Sequence, residues 1–147
     1  MPSWIEFTQQ APEIAAFGKA RLENRVAYLG TLRADGSPRV HPVVPILGEQ
    51  LFLFMEPTSP KGKDLQRDPR YTLHCGVENS EGGGGEFAIS GRAVLTSDPG
   101  LRWQAVRACP YPPQEEYILF VLTVDAAFMN LYENGKATPR RWKAPGA

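Results

Sequence analysis

The amino-acid sequence predicts a mostly β protein with a minor helical part: an antiparallel, barrel-forming sheet of about seven or eight strands with a few short helices. Three observations predict it. Apolar residues alternate with a period of two in several runs, as in strands that line a core. Tight-turn pairs, Asp35-Gly36 and Asn134-Gly135, join such runs, which is typical of hairpins. Helical patterns are short and do not alternate regularly with strands, which disfavours parallel βαβ units.

The first elements predicted are a helix and a hairpin. Pro12 suits a first helical turn, and we expect that helix to end near Asn24. The run from Val26 to Leu32 is mostly apolar at both alternating sets of positions, which predicts a strand covered on both sides. After Asp35-Gly36, the return strand over 38–46 contains three prolines. Because proline cannot donate to a β-ladder, this strand is predicted to lie at an edge.

The middle of the chain predicts a core strand over 51–55 and then a short helix. Ser59 is the expected N-cap of this helix and Pro60 its first residue, and the helix should end before Asp68-Pro69. A strand over 71–77 follows. The four glycines at 82–85 precede no Lys-Ser/Thr pair and no helix, so they predict a mobile connection rather than a phosphate loop.

The last third predicts a strand, a helix and a closing hairpin. The strand covers 86–95, and Asp98-Pro99 then begins a helix that runs to about Arg107. A long β-rich run over 117–125 follows, and the hairpin over 128–142 turns at Asn134-Gly135.

Size and composition limit the possible function classes. The 147 residues fit one domain, over 1–147, and 16 Lys and Arg balance 16 Asp and Glu, which disfavours a general nucleic-acid binder. Two cysteines are too few for a disulfide-stapled secreted domain. The longest apolar stretch, 118–124, falls well short of the ~20 residues that span a bilayer. We expect a cytoplasmic protein that contacts neither nucleic acid nor membrane.

Residues 58–63 contain the parts of an anion site. Thr58 and Ser59 supply hydroxyls, Lys61 and Lys63 supply positive charge, and a helix begins among them. A phosphate monoester would meet free amide groups and charge-assisted hydrogen bonds there. In the alternative interpretation, Ser59 only caps the helix and both lysines are solvated.

The order of several segments resembles the flavin-binding split-barrel family that includes pyridoxamine 5'-phosphate oxidase. The resemblance covers roughly residues 25–95 and rests on the spacing of segments that are not specific individually. These segments are Val26-Ala27-Tyr28-Leu29-Gly30-Thr31, Asp35-Gly36-Ser37-Pro38-Arg39-Val40-His41-Pro42-Val43, Leu51-Phe52-Leu53-Phe54, Ser59-Pro60-Lys61-Gly62-Lys63-Asp64-Leu65, Asp68-Pro69-Arg70 and Ser90-Gly91-Arg92-Ala93.

The resemblance implies a homodimer with two FMN sites at the subunit interface. It places Arg39, Val40 and His41 beside the flavin. It assigns the phosphate to Thr58, Ser59, Lys61 and Lys63, close to the start of the short helix. Many relatives carry arginine where this chain has Pro60, and the point charge of Lys63 lacks the planar fork of arginine.

Other candidate residues are few. Trp142, in the charged segment 140–143, either covers the edge of the flavin ring or packs on the barrel. His41 and His74 lie apart from other ligand-type residues in the sequence, so no metal site is expected. Cys75 on an apolar strand is expected to be an inert core thiol. No catalytic residue is predicted.

The function expected from the resemblance is that of an FMN-dependent oxidoreductase acting on a small molecule. One alternative keeps the fold and replaces FMN with a deazaflavin, whose polyanionic tail would suit Arg39, Lys61 and Lys63. The other is a flavin-binding protein without turnover, which the replacement of arginine by Pro60 favours.

Overall fold

The computed structural model describes residues 2–147, which form four helices and nine strands. The helices are α1 (Trp4–Gln10), α2 (Pro12–Leu22), α3 (Pro60–Arg67) and α4 (Pro99–Ala108). The strands are β1 (Ala27–Leu32), β2 (Pro38–Val43), β3 (Ile46–Leu47), β4 (Leu51–Met55), β5 (Arg70–Cys75), β6 (Glu86–Thr96), β7 (Ile118–Leu122), β8 (Ala126–Glu133) and β9 (Lys136–Lys143).

The strands form one antiparallel sheet that curls into a split barrel, as the sequence predicted. The main path is β2-β1-β5-β6-β7-β4-β3, and β8 and β9 branch from it at β6. β2 therefore lies at an edge, in agreement with Pro38 and Pro42. The strand predicted over 38–46 ends at Val43, and Pro45 lies between β2 and β3. Both predicted hairpins are present, and Gly36, Asn134 and Gly135 have the positive φ angles that their turns require.

The sheet divides along β6. Residues 86–90 of this strand pair with β8, whereas residues 93–96 pair with β7. Between the two pairings, the Thr123 amide donates to the Arg92 carbonyl at 2.9 Å, and the Asp125 amide donates to the Ser90 carbonyl at 2.8 Å. A Cβ on Gly91 would lie 2.2 Å from the Thr123 carbonyl oxygen. Only glycine fits at this branch point without movement of the backbone.

Two apolar clusters lie on either side of β4, and all five residues of this strand are buried. Leu51, Leu53 and Met55 belong to the main core, which also includes Phe7 of α1 and Phe87 of β6. The other face of β4 packs with Ile46, Ala105 and Leu119 in a smaller cluster that α4 covers. The prediction of a core strand over 51–55 is confirmed.

The opposite side of the sheet leaves a broad surface open, which we call the outer face. Register places one row of side chains across six strands, none of them fully buried: Pro42, Tyr28, His74, Ala88, Phe128 and Arg141. A second row consists of Val40, Gly30, Thr72, Ser90, Ala126 and Lys143. The prediction that β1 is covered on both sides is wrong for the single chain, because Tyr28 is 47% exposed.

The helices agree with the sequence except at the beginning of the chain. α2, α3 and α4 have the predicted proline starts, and Asp98 caps α4 by accepting from the Leu101 amide at 2.9 Å. α1 was not predicted, although Ser3 and Glu6 form a capping box there. No helix within residues 2–147 is long and apolar enough to cross a membrane.

The glycine segment was predicted to be mobile, but it forms hydrogen-bonded turns. The Gly85 amide donates to the Gly82 carbonyl at 2.8 Å, and the Glu78 amide donates to the Gly83 carbonyl at 3.0 Å. The Asn79 side chain accepts from the amides of Glu81 and Gly83. Three of the four glycines have positive φ angles, which explains why glycine is used.

Candidate functional site

The candidate site lies where the edge strand β2 faces the start of α3. Ser59 caps this helix: its Oγ accepts from the Gly62 amide at 3.5 Å and from Lys61 Nζ at 3.2 Å. Pro60 has no amide hydrogen, and the Lys63 amide donates to the Ser59 carbonyl. The Lys61 amide is then the first-turn donor that neither the helix nor the cap uses. Ser59 therefore caps the helix, as the alternative interpretation of residues 58–63 stated. The Lys61 amide stays available to an anion.

A buried carboxylate, Asp64 of α3, organises the charges around this helix end. Its side chain is 4% exposed. Its Oδ2 accepts from Thr31 Oγ1 at 2.9 Å and from Arg39 Nε at 2.7 Å, and its Oδ1 accepts from Arg67 Nη2 at 2.7 Å. Burial alone would raise the pKa of Asp64, but the hydrogen bonds from Arg39, Arg67 and Thr31 outweigh it and hold the pKa below the ordinary value. Asp64 is therefore ionised and fixes two guanidinium groups.

Asp64, Arg39 and Arg67 line a depression of about 480 Å³ between the β1–β2 turn and α3, which we call the cationic groove. Four cationic side chains face two carboxylates, which leaves a net charge of +2. Its lining residues are Arg33, Ala34, Asp35, Arg39, Thr58, Pro60, Lys63, Asp64 and Arg67. A small dianion complements this charge.

A second depression, of about 290 Å³, lies at the end of β2, and we call it the apolar cleft. Its lining residues are Val26, Pro42, Val43, Val44, Leu53, Phe54, Lys61 and Tyr111. The two depressions are adjacent, because Pro60 lines one and Lys61 lines the other. Together they fit a molecule with an anionic end and a flat apolar end.

The polar groups near the apolar cleft are partly desolvated. Burial lowers the pKa of Lys61, although Glu56 opposes the shift. Burial also lowers the pKa of His41, and the charges of Lys61 and Arg39 lower it further. Burial raises the pKa of Tyr111 well above its ordinary value, so this phenol stays protonated at neutral pH. Neutral His41 and Tyr111 can both donate hydrogen bonds to a ligand here.

The structure brings together six of the eight residues predicted for the cofactor. Arg39, Thr58 and Lys63 line the cationic groove, Ser59 caps the adjacent helix, Lys61 lines the apolar cleft, and His41 feels the charges of Lys61 and Arg39. Register separates Val40 from this group. Arg39 and His41 pair with Thr31 and Leu29 on the core side of β1, whereas Val40 points to the outer face.

Trp142 also lies apart from the other predicted residues. It pairs with the buried Ala127 and packs against Phe7, with ring centroids 5.0 Å apart. It lines a different depression, of about 470 Å³, on the outer side of β5, β6, β8 and β9. Within the single chain, the structure favours the alternative in which Trp142 packs on the barrel.

Sequence reasoning missed four residues of the site: Arg33, Asp64, Arg67 and Tyr111. Asp64 and Arg67 stand three residues apart on one helix, which is a detectable pairing signal. Arg33 and Tyr111 come from a turn and a loop that reach the site only through the tertiary fold, so no local pattern indicates them.

The fold and the site together define an antiparallel split-barrel protein whose edge strand borders a cationic groove and an apolar cleft. Residues 11–128 match the family model of pyridoxamine 5'-phosphate oxidase, and the chain belongs to that family. The resemblance inferred from residues 25–95 is thereby confirmed over a longer stretch. No curated protein sequence matches the chain.

Solved structures show the same fold at low sequence identity. A NimC/NimA family protein from Clostridium acetobutylicum is 16% identical, with a TM-score of 0.68, over 95% of this chain and 94% of that one. A heme binding protein from Mycobacterium smegmatis is 20% identical, with a TM-score of 0.64, over 95% of this chain and 58% of that one. An F420 reductase is 16% identical, with a TM-score of 0.57, over 74% of this chain and 94% of that one.

Proposed function

We propose that this protein is an FMN-dependent oxidoreductase that acts on a small molecule and holds one flavin per subunit of a homodimer. The observation that carries the proposal is that the cationic groove and the apolar cleft meet at neighbouring residues, Pro60 and Lys61. FMN has the matching shape, since a phosphate monoester joins a planar ring system through a flexible chain. Membership of the pyridoxamine 5'-phosphate oxidase family supports the same cofactor class.

The residues present fit the phosphate of FMN. The net charge of +2 in the groove complements a monoester dianion. Lys63 and Thr58 line the groove, and the Lys61 amide at the start of α3 is an unused donor. Arg33 and Arg67 provide the guanidinium groups that the missing arginine at Pro60 would supply in many relatives.

The residues of the apolar cleft fit the flavin ring. Pro42, Val43 and Phe54 supply apolar contact and exclude water, while the Tyr111 hydroxyl and His41 can orient polar ring edges. When bound, the flavin supplies the transfer of hydride or electrons. No side chain of this protein is required as an acid or base, so its residues bind, orient and shield.

The outer face supports the proposed homodimer. Val40 is 67% exposed and Tyr28 is 47% exposed, and the register of β1 and β2 places both on this face. Exposed apolar residues grouped on one face are typical of a protein contact surface. Pro42 of β2 lies opposite Tyr28 on this face and also lines the apolar cleft, so a second copy on the outer face would border the flavin.

Titration of the purified dimer with FMN and with riboflavin, which lacks the phosphate, tests the proposal. We expect FMN to bind much more tightly and to survive desalting. Lys63→Ala should weaken FMN binding by about 1–3 kcal/mol, because a charge-assisted contact is lost. Lys136→Ala removes an exposed lysine of β9 and is the matched control. Protein that binds no flavin, or that carries haem instead, would contradict the proposal.

A deazaflavin is the second candidate cofactor. Arg33 and Arg67 extend the positive surface beyond Lys61 and Lys63, which suits a ligand with a longer anionic tail. Titration of both cofactors in parallel distinguishes them, and tighter binding of FMN by an order of magnitude would eliminate the deazaflavin. Flavin binding without turnover of any tested electron donor would instead favour the non-catalytic alternative.

A further inference from the structure

We infer that Asp64 is a positioning residue that makes the groove selective for phosphorylated ligands by fixing the guanidinium groups of Arg39 and Arg67. The ligand part of this inference rests on the proposed function. Asp64 is an acid in a site that is to hold an anion, so its own charge opposes binding. Its effect on binding must therefore come from the groups that it holds.

The contacts show how Asp64 acts through the arginines. Arg39 Nε and Arg67 Nη2 each lie 2.7 Å from a different carboxylate oxygen, and Thr31 Oγ1 lies 2.9 Å from Oδ2. The side chains are 23% exposed for Arg39 and 41% for Arg67, so both guanidinium groups reach the groove surface. A guanidinium has five N–H donors, and each arginine gives Asp64 only one of them.

The contacts with Asp64 hold the guanidinium groups of Arg39 and Arg67 in place in the absence of a ligand. An exposed arginine loses side-chain entropy when it binds an anion, and that loss is smaller when a buried carboxylate already holds it. The guanidinium plane matches the oxygens of a phosphate, which gives geometric selectivity in addition to charge. Asp35 provides a contrast within the same groove, because it accepts from the Ser37 amide and hydroxyl and from no arginine.

The substitution Asp64→Asn separates positioning from simple charge because the two predict opposite signs. It raises the net charge of the groove from +2 to +3, so charge alone would tighten FMN binding. If Asp64 positions the arginines, the affinity for FMN falls about tenfold, while that for riboflavin changes little. Asp35→Asn makes the same change in the charge of the groove without releasing an arginine held by that residue, so FMN should bind more tightly to it than to the wild type.

Two further measurements test the role of Asp64 if Asp64→Asn does not fold or if the protein does not bind FMN. Arg67→Lys keeps the charge of the groove and changes an exposed position, so it can be studied even if Asp64→Asn does not fold. It replaces the planar guanidinium of Arg67 with an ammonium group, and FMN should therefore bind about tenfold more weakly. NMR exchange of the Arg39 Nε–H, with orthophosphate as the probe, needs no flavin. This proton should be protected in the wild-type protein and unprotected in Asp64→Asn.

The outcomes distinguish this inference from the proposed function. A wild-type protein that binds no FMN, but has a protected Arg39 Nε–H that shifts with orthophosphate, would overturn the FMN proposal and keep the role of Asp64. Asp64→Asn protein that binds FMN as tightly as the wild type, or Arg67→Lys protein with unchanged affinity, would overturn the role of Asp64.

Discussion

The behaviour of single residues in the cleft depends on their neighbours. The pKa of His41 on β2 is lowered first by burial and then by the charges of Lys61 and Arg39. Lys61 itself is half-buried against the Ser59 cap. The charge of Lys61 on α3 therefore also affects the protonation of His41 on β2.

We predict that Lys61→Gln raises the pKa of His41 but leaves it below the ordinary 6.5, because burial is the larger cause. NMR titration of the imidazole C–H signals measures this, and His74→Gln removes the second histidine signal. A pKa that stays unchanged in the variant would contradict the coupling. Bound phosphate should act in the same direction as Lys61→Gln, since an anion favours imidazolium.

The same shift has a consequence for stability. The folded imidazole binds a proton less readily than the unfolded one, whose pKa is near 6.5. The contribution of His41 to stability is therefore fully present above pH 6.5 and is lost as the pH falls below it. The free energy of unfolding of the wild type should decline more steeply below this pH than that of His41→Gln.

At the scale of elements, the sequence predicts individual strands and helices better than the contacts among them. Local signals were sufficient for the hairpins, for the proline-initiated helices and for the edge position of β2. The exposure of one side of β1 could not be predicted from the sequence. Tyr28 is apolar enough to suggest burial, but whether it is covered depends on how five other strands are arranged. α1 was missed despite the Ser3–Glu6 pattern, because the helix is only seven residues long.

The branching of β6 gives a prediction at this scale. Gly91→Ala should lower the free energy of unfolding by about 3 kcal/mol, because the new Cβ would lie 2.2 Å from the Thr123 carbonyl. Chemical denaturation measures the change. Gly76→Ala is the matched control, since its Cβ would lie 3.7 Å from the nearest backbone atom and should cost less than about 0.5 kcal/mol. Equal stability of the two variants would show that the branch tolerates displacement.

At the scale of the whole molecule, the edge strand β2 contributes residues both to the candidate site and to the outer face. In β2, Arg39 lines the cationic groove and Val43 lines the apolar cleft, while Val40 lies on the outer face. The candidate site could be predicted in part, because Lys61, Lys63 and Ser59 share one segment. Arg33 and Tyr111 join it only when the barrel closes, and sequence order does not encode that proximity.

The proposed flavin site at a subunit interface requires that the protein is a dimer. We expect the wild type to sediment at twice the 16.3 kDa of one chain. Val40→Glu should give a monomer with weakened FMN binding, because a two-fold interface brings a new carboxylate in each copy against the same apolar surface. Val40 is 67% exposed, so the substitution should cost the folded chain little.

Trp103→Glu is the matched control, since Trp103 is 60% exposed on α4 and lies off the outer face. It removes at least as much apolar surface and adds the same charge. A dimer that survives Trp103→Glu and dissociates with Val40→Glu would assign the interface to the outer face. A wild-type mass of one chain, or a Val40→Glu protein that remains dimeric, would remove the second subunit from the site and leave the cleft of a single chain to hold the flavin.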